Sequence, residues 1–275
     1  MELLRIDPTK CQRDGICAAV CPTGIVRLQD GEDYPKMAPG GEKLCIACGH
    51  CVAACPHGAL DHARIPLRSC PAIRPELTIR DEQAVQFLRS RRSIRIYQDR
   101  PVEKETINRL IETARYAPTG SNTQLVEWIA CNDRQKIREL AGMTVDWLRL
   151  LLKEEKQPTP LPPYLPLVVA AWDIGFDAVL RNAPALLVAI APAEAANGMV
   201  DLSLSLCYLE LTAQTLSLGT CWAGMLRRGL MNWPPLREAV GIPEGYPHYY
   251  PMMLGYPKVT YHRLPERRPP RVTWK

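Results

Sequence analysis

The sequence lacks a long basic block. Its 275 residues carry a formal net charge of +5, and the 34 lysines and arginines are spread along the chain. Proteins that bind nucleic acids usually gather basic side chains into a patch or a run that neutralises phosphates. The charge pattern therefore argues against a nucleic-acid partner.

Two kinds of apolar segment are also missing. No charged-then-apolar leader opens the chain, because residues 1–5 run directly into a cysteine motif. The longest apolar stretches are interrupted by Asp201, Glu210 and Gln214, or are too short to span a bilayer. We therefore expect no membrane partner.

The cysteines do not fit the disulfide framework of a small secreted protein. Their number, 11, is odd, and seven of them fall within two related motifs. This distribution, with the missing leader, predicts a reducing, cytoplasmic location. Cys131, Cys207 and Cys221 lack ligand spacing and sit among apolar residues, so we expect them to be buried as small hydrophobic side chains.

The most specific motif is the run from Cys45 to Pro56, with the spacing C-x2-C-x2-C-x3-C-P. Three thiolates at this spacing can hold one face of a cubic iron–sulfur cluster, and the fourth, followed by proline, binds a different cluster. A matching run from Cys11 to Pro22 lies 34 residues upstream, with Asp14 where one cysteine is missing. Over residues 1–60 the chain resembles a bacterial-type two-cluster ferredoxin.

This resemblance implies two [4Fe–4S] clusters whose ligands cross between the halves. One ligand set is Cys45, Cys48 and Cys51 with Cys21. The other set is Cys11, Cys17 and Cys55 with a fourth position that three alternatives could fill. The Asp14 carboxylate could bind iron as a harder ligand than thiolate; the position could be empty, giving a [3Fe–4S] cluster; or Cys70 could reach back. In so small a module, the clusters should supply much of the folding free energy.

A second group of motifs follows a proline-containing segment. Residues 63–82 predict an ordered, fairly stiff connector. Beyond it, Arg91, Arg92, Ser93 and Arg95 form a segment that is either a solvated helix end or a set of donors for a phosphate monoester. An amphipathic helix predicted over residues 102–116 then leads to a loop that contains Asn122 and Gln124.

Together with the closing segment Gly255-Tyr256-Pro257-Lys258 and a basic tail, these motifs resemble the FMN-dependent nitroreductase family over residues 85–275. The resemblance implies that FMN is held by Arg91, Arg92, Ser93, Arg95, Asn122 and Gln124. It further implies that a backbone N–H of Ala223 or Gly224 faces the flavin N5 edge, and that Arg267 or Arg268 contacts the phosphate. A homodimer with shared flavin sites is also implied. Leu125-Val126 departs from the family's proline–aromatic pair, close to the expected active site.

The expected architecture is α+β. Residues 1–62 would form the ferredoxin-like two-cluster domain, 63–82 the linker, and 83–275 the FMN-binding nitroreductase-like domain, with a central, mostly antiparallel sheet flanked by helices. Within this domain we predict a buried strand at 183–190 and, at 201–218, a helix that is apolar on nearly every side and stopped by Gly219. Residues 142–182 are expected to be an inserted flap over the flavin, a docking surface for the first domain, or a plain surface excursion.

The implied cofactors lead to a functional hypothesis. Clusters move single electrons, whereas FMN accepts one or two, so the fusion predicts an FMN-dependent oxidoreductase that reduces a small electron-poor acceptor of nitro, quinone or enone type. NAD(P)H or an external ferredoxin would be the donor. No G-x-G-x-x-G follows a strand pattern, but the resembling family binds nicotinamide directly on the flavin. The alternative is a module that relays electrons to a protein partner. Tyr97, Tyr116 and His248 are available as general acids, but such residues more often serve packing, so the catalytic residues are left unassigned.

Overall fold

The computed structural model describes residues 2–29, 31–153 and 162–275. It contains two compact units, the first formed by Met1–Thr78 with Ser121–Thr123 and the second by Ile79–Gly120 with Gln124–Lys275. The first unit thus takes in most of the segment expected to be a linker. The predicted domain boundaries at residues 62 and 82 stay predictions.

The first unit consists of short elements around a small core. Its strands are β1 (Leu4–Ile6), β2 (Val26–Arg27), β3 (Lys36–Met37) and β4 (Leu60–His62), and its helices are α1 (Ile16–Ala19), α2 (Gly41–Leu44) and α3 (His50–Ala54). β1 pairs antiparallel with β4, and β2 with β3. Two 3-10 turns follow, at Leu67–Ser69 and Pro75–Leu77. The buried core of this unit comprises Leu4, Cys17, Ile25, Val26, Val52 and Leu60.

The 34-residue repeat of the sequence recurs in the backbone of this unit. Gly15 precedes α1 with φ 70°, and Gly49 precedes α3 with φ 74°, a left-handed conformation that favours glycine. After each helix a turn closes through a glycine N–H, from Gly24 to the Cys21 carbonyl at 3.1 Å and from Gly58 to the Cys55 carbonyl at 3.3 Å. The two halves therefore place their cysteine–proline pairs in equivalent turns.

The second unit is built on a four-stranded antiparallel sheet. Its strands are β5 (Glu127–Cys131), β6 (Ala185–Ala191), β7 (Gly219–Trp222) and β8 (His248–Gly255), in the spatial order β5-β6-β8-β7. All seven residues of β6 are buried, which confirms the strand predicted at 183–190. The antiparallel sheet with helices around it confirms the predicted α+β fold class.

Helices cover both faces of this sheet. After α4 (Asp81–Ser90), which has no buried residue, they are α5 (Lys104–Ala114), α6 (Arg134–Lys153), α7 (Leu165–Asp173), α8 (Gly198–Thr215), α9 (Gly224–Asn232) and α10 (Pro234–Val240). Because side chains alternate along a strand, Leu186 and Val188 pack with α6, α7, α9 and α10, whereas Leu187 and Ala189 pack with α5 and α8. Across residues 2–29, 31–153 and 162–275, no helix combines the length and the apolar character that a bilayer-spanning segment needs.

The helix expected at 201–218 lies three residues earlier, at Gly198–Thr215. The chain turns at Ser217, which has φ 58°, and Gly219 is the first residue of β7 rather than the helix stop. A Cβ on Gly219 would lie 2.2 Å from Cγ1 of Ile94. The glycine is therefore explained by close packing against Ile94, and the prediction that it ends the helix was wrong.

Part of the segment 142–182 contributes to the core. Val145, Leu148 and Leu165 are each 0% exposed and belong to the cluster that packs on one face of the sheet. These residues exclude a plain surface excursion for the two helices that carry them. The expected roles of this segment as a flap or docking surface stay predictions. Its central part, residues 154–161, lies outside the described residues.

Candidate functional site

Four of the predicted cluster ligands line one cavity in the first unit. Cys21, Cys45, Cys48 and Cys51 lie in the wall of a small cavity of about 20 Å³. The rest of the wall is mainly apolar and includes Ile25 of the unit's core. One cysteine thus comes from the upstream motif and three from the downstream motif, which is the grouping that crossed ligation requires.

Backbone donors surround the two cysteines that precede prolines. Burial raises the pKa of Cys21, but hydrogen bonds from the Val26, Thr23 and Ile25 backbones and the Thr23 hydroxyl outweigh it, so the pKa is lowered. The Sγ of Cys55 likewise accepts a hydrogen bond from the Ala59 N–H at 3.3 Å. Such donors stabilise the thiolate, which is the form that binds iron.

The second predicted ligand set also lies together. Burial raises the pKa of the Cys17 thiol, and the neighbouring negative groups Asp14, Cys55 and Cys11 raise it further. In the first set, burial raises the pKa of Cys51 to about 11, with Cys48 and Cys21 adding to the rise. Binding of a cation would lower these raised thiol pKa values, because a metal ion favours the deprotonated ligand.

Asp14 is held beside this second set by polar contacts. Its Oδ1 accepts a hydrogen bond from the Ile16 N–H at 3.1 Å, and its Oδ2 lies 3.7 Å from Nε2 of His57. Cys70 packs against the same small core, and its thiol donates to the Pro66 carbonyl at 3.5 Å. The carboxylate therefore accompanies the cysteines, while Cys70 has a different partner.

The arrangement differs from that of a site for a single metal ion. Among the described residues, no three His, Cys, Asp or Glu side chains converge as the ligands of one ion would. In an iron–sulfur cluster each cysteine binds its own iron atom, so the sulfur atoms are spread around a larger object. The donor chemistry and the grouping of the four cysteines thus fit a multinuclear cluster.

His62 adds an imidazole to the cavity wall, which the sequence motifs did not predict. Its side chain lies on β4 and is 2% exposed, and its Nε2 is 3.4 Å from Sγ of Cys45. Its Nδ1 accepts hydrogen bonds from the N–H groups of Arg64 and Ile65, both at 3.1 Å. Burial lowers the pKa of His62, and the charge of Arg64 lowers it further, which favours the neutral ring.

In the second unit, arginines from both ends of the domain line one cavity. Arg89, Arg91 and Arg92 meet Arg267 and Arg268 around a volume of about 530 Å³. Guanidinium groups match the geometry of phosphate oxygens and pair with them bidentately. The two segments predicted to contact the FMN phosphate therefore come together at one place.

An adjoining cavity of about 390 Å³ contains buried donors without acceptors. Arg92 Nε and Gln214 Nε2 are buried and unpartnered, and both residues line this cavity with Gly219 and Thr220. An unsatisfied buried donor costs about 1–3 kcal/mol, which a bound ligand with oxygen acceptors would recover. The cavities thus fit an anionic ligand rich in oxygen. Gln214 was noted in the sequence only as a polar interruption of an apolar helix.

Glu210 is a further residue that the motifs did not identify. This carboxylate is 5% exposed, and its oxygens accept hydrogen bonds from Arg91 Nη1 at 3.1 Å, Thr220 Oγ1 at 3.0 Å and Trp222 Nε1 at 3.1 Å. It therefore ties the arginine segment to β7 and neutralises Arg91. Arg92, whose Nε is unpartnered, can instead bind an anionic ligand.

The remaining residues of the first flavin segment lie apart from these arginines. Ser93 forms a bridge with Thr220, and the Ile94 N–H donates to the Thr220 carbonyl at 2.8 Å. Arg95 is exposed and lines a different cavity, with Tyr97 and Lys258. The flavin contacts assigned to Ser93 and Arg95 stay predictions.

The loop residues Asn122 and Gln124 fall in different units. Asn122 groups with the first unit, where its Nδ2 donates to the Ile46 and Ala47 carbonyls, both at 3.0 Å. Gln124 groups with the second unit, is exposed, and donates its backbone N–H to Thr119 Oγ1 at 3.1 Å. Their roles at the flavin stay predictions.

The structure distinguishes the two candidates for the flavin N5 contact. The Ala223 N–H donates to the Pro251 carbonyl at 2.9 Å, so this group is already used. Gly224 is the first residue of α9, where an N–H has no acceptor within the helix. Gly224 is therefore the better candidate of the pair.

Of the three residues available as general acids, two are held in packing contacts and one is exposed. Tyr97 Oη donates to the Ile94 carbonyl at 2.7 Å, and burial raises its pKa well above the usual range. Tyr116 is 69% exposed. His248 packs so closely on Gly198 that a Cβ there would lie 2.3 Å from its Cδ2. The catalytic residues remain unassigned.

Comparisons of the sequence with family models agree with both resemblances. A model described as "Nitroreductase family" matches residues 88–256, and one described as "4Fe-4S dicluster domain" matches residues 3–56. They confirm the two-part organisation expected from the cysteine and arginine motifs.

Individual proteins are similar to this chain at low identity. It is 26% identical over 182 residues to an Archaeoglobus fulgidus protein named as an NADH dehydrogenase/NAD(P)H nitroreductase, covering 64% of this chain and 87% of the other. It is 28% identical over 173 residues to a Cr(VI) reductase of Pseudomonas sp. strain G-1, covering 62% and 65%, so it spans just under two thirds of that relative.

Solved structures share the fold. A nitroreductase with bound FMN from Bacteroides fragilis superposes with a TM-score of 0.58 at 18% identity, covering 70% of this chain and 99% of that one. A nitroreductase with bound FMN from Desulfitobacterium hafniense gives a TM-score of 0.54 at 19% identity, covering 71% and 99%. At these identities the likeness concerns the fold alone.

Proposed function

Because the chain belongs to the nitroreductase family, we propose that it is an FMN-dependent oxidoreductase in which electrons pass between iron–sulfur clusters and FMN. The cofactors supply the redox chemistry, the clusters by single electrons and FMN by one or two. The observation that carries the proposal is the pair of donor sets: cysteines around a cavity in one unit, and arginines around a cavity in the other.

The residues of the second unit have distinct tasks in this proposal. Arg92, Arg267 and Arg268 bind the phosphate of FMN, because their guanidinium groups line one cavity. Glu210 keeps Arg91 in place through the 3.1 Å hydrogen bond. The Gly224 N–H, at the start of α9, serves the flavin N5 edge.

In the first unit the cysteines hold two clusters with crossed ligands. Cys21, Cys45, Cys48 and Cys51 bind one cluster, supported by their common cavity. Cys11, Cys17 and Cys55 bind the other, with Asp14 at the fourth position, supported by the mutual electrostatic influence of these four residues. The carboxylate binds its iron more loosely than a thiolate would.

The working form of the enzyme in this proposal is a homodimer. α8 exposes a row of side chains at helical spacing, with Val200 at 59%, Leu204 at 37% and Tyr208 at 40% exposure. Cys207, expected to be buried, is exposed on the same helix, so that expectation was wrong for the single chain. A second copy would cover this row.

The acceptor is a small electron-poor molecule with a nitro, quinone or enone group, and the donor is NAD(P)H or a reduced ferredoxin. The name of the Archaeoglobus relative supports NAD(P)H as a donor. The name of the Pseudomonas relative adds Cr(VI) as an acceptor to be tested beside the organic ones.

Anaerobic reduction of the purified protein tests this function. NADH, NADPH or reduced ferredoxin is added while the flavin absorbance is followed, and then nitrobenzene, menadione, cyclohexenone or chromate is added. We expect the flavin to bleach with a donor and to recover with at least one acceptor. Reduction by ferredoxin should be lost in Cys48→Ser.

The control variant is Cys131→Ser, a cysteine outside both ligand sets. Flavin bleaching with NAD(P)H alone would show that the clusters are not the obligatory input of electrons to the flavin. Recovery with cytochrome c but with none of the small acceptors would favour the electron-transfer module instead.

A further inference from the structure

The imidazole of His62 has a fixed orientation beside a predicted cluster ligand. Its Nδ1 accepts two backbone N–H groups, those of Arg64 and Ile65, each at 3.1 Å. A ring nitrogen that accepts these bonds carries no proton, so the proton of the neutral ring lies on Nε2. That Nε2 is 3.4 Å from Sγ of Cys45.

The surroundings hold this arrangement. His62 lies on β4, opposite Leu4 of β1, and is 2% exposed. The next turn of the chain supplies both N–H groups to Nδ1, so a flipped ring would lose these two bonds. The geometry thus presents an N–H donor to the Cys45 sulfur in the single described cavity that gathers Cys21, Cys45, Cys48 and Cys51.

We propose that His62 donates an Nε2–H···S hydrogen bond to Cys45 and thereby raises the reduction potential of the cluster bound in this cavity. The proposal rests on the proposed function, because it requires that cluster. Reduction adds one electron and makes the cluster more negative, and a donor to a ligand sulfur stabilises that added charge. His62 is therefore a positioning and tuning residue that binds no iron.

The repeat shows that this donor belongs to one half alone. The residue 34 positions upstream of His62 is Leu28, which has no N–H in its side chain. Cys11, the counterpart of Cys45, therefore lacks the equivalent donor from this position. The two ligand sets are therefore unequal at this position, because only Cys45 has an imidazole beside its sulfur.

The test is a dithionite titration of the full-length protein, purified anaerobically and followed by EPR with redox mediators. His62→Leu installs the residue of the other half. We expect the midpoint potential of one cluster to become more negative, by about tenfold in the reduction equilibrium constant or about 59 mV. His62→Gln keeps a side-chain N–H and should restore most of the shift.

The control is His50→Leu, the same change at an exposed histidine of this cavity whose ring contacts the Cys48 carbonyl at 3.3 Å rather than a sulfur. It should leave the potential unchanged. Equal potentials in wild type and His62→Leu, at equal iron content, would overturn the proposal while leaving the proposed function intact. Wild-type protein that holds no iron would overturn both.

A measurement on the wild type covers the case in which His62→Leu does not fold. With 15N-histidine labelling, pulsed EPR of the reduced cluster should show a nitrogen coupling from the hydrogen-bonded ring. The coupling should persist in His50→Leu. Its absence from the wild type would contradict the bond directly.

Discussion

Asp14 distinguishes the two halves of the first unit more than any other ligand position. We predict that Asp14→Cys abolishes any three-iron EPR signal of the oxidised protein and brings the iron content to about eight atoms per chain, because a thiolate would hold the fourth iron firmly. The comparison is made on anaerobically purified protein by EPR and iron analysis.

Cys70→Ser is the matched control, since Cys70 donates to the Pro66 carbonyl at 3.5 Å. It should change neither quantity. A three-iron signal that survives in Asp14→Cys would show that position 14 does not hold the fourth iron, whereas iron loss in Cys70→Ser would place Cys70 in the second ligand set.

Glu210 is a buried carboxylate whose hydrogen bonds come from three side chains. We predict that Glu210→Gln destabilises the second unit by about 1–3 kcal/mol, because the amide NH₂ would face either Arg91 and Thr220 or Trp222, all of which are donors. In a domain of this size each kcal/mol lowers Tm by about 2–4 °C. Thermal unfolding of the FMN-bound protein measures the change.

Thr220→Val removes one of the three donors and leaves the carboxylate in place. It should cost less than Glu210→Gln. If both variants melt at the temperature of the wild type, the network does not contribute to stability and cannot be what fixes Arg91.

These residues show which parts of a functional site can be predicted from sequence motifs. The cysteines and arginines were identified because their ligands impose a spacing within one short segment. Glu210 bonds to Arg91, 119 positions away, and no spacing rule describes such a pair. His62 could have been noticed only as a departure from the repeat, since Leu28 occupies the matching position. Gly224 was separated from Ala223 by a hydrogen bond to Pro251, which depends on the sheet.

Helix α8 shows how far the bounds of a helix can be predicted from the sequence. Its apolar composition predicts a helix, but the predicted range is three residues late because Gly219 resembles a helix stop signal. A glycine is needed at position 219 because Ile94 packs closely against it in the tertiary structure, and the residues next to Gly219 in the sequence do not indicate this contact. β6 was predictable because strand burial on both faces requires a continuous apolar run.

The exposed face of α8 leads to a prediction about assembly. We expect the double variant Val200→Glu/Tyr208→Glu to be monomeric, because carboxylates would replace apolar side chains that are 59% and 40% exposed in the single chain. Size-exclusion chromatography with light scattering measures the mass. Bound FMN should also decrease, since the family resemblance implies shared flavin sites.

Leu167→Glu provides the control, because Leu167 is 68% exposed on α7 and lies on a different helix. It should remain dimeric. A double variant that keeps the mass of a dimer would exclude this face of α8 as the contact between copies.

The two units differ in what stabilises them. The buried core of the first unit consists of a few residues such as Leu4, Val52 and Leu60, whereas both faces of the sheet in the second unit are covered by helices. A small core supplies little free energy, so metal binding must provide much of the stability of the first unit. The second unit has no such requirement.

We therefore predict that iron removal unfolds the first unit and leaves the second folded. After anaerobic treatment with ferricyanide and EDTA, hydrogen exchange measured by mass spectrometry should become fast in β1 and β4, whose amides pair at Leu4–His62 and Ile6–Leu60. β6 should stay protected, because it lies inside the four-stranded sheet with all seven residues buried. Removal of FMN instead should leave β1 and β4 protected. If β1 and β4 stay protected without iron, the apolar core alone is sufficient, and if β6 loses protection as well, the two units do not fold independently.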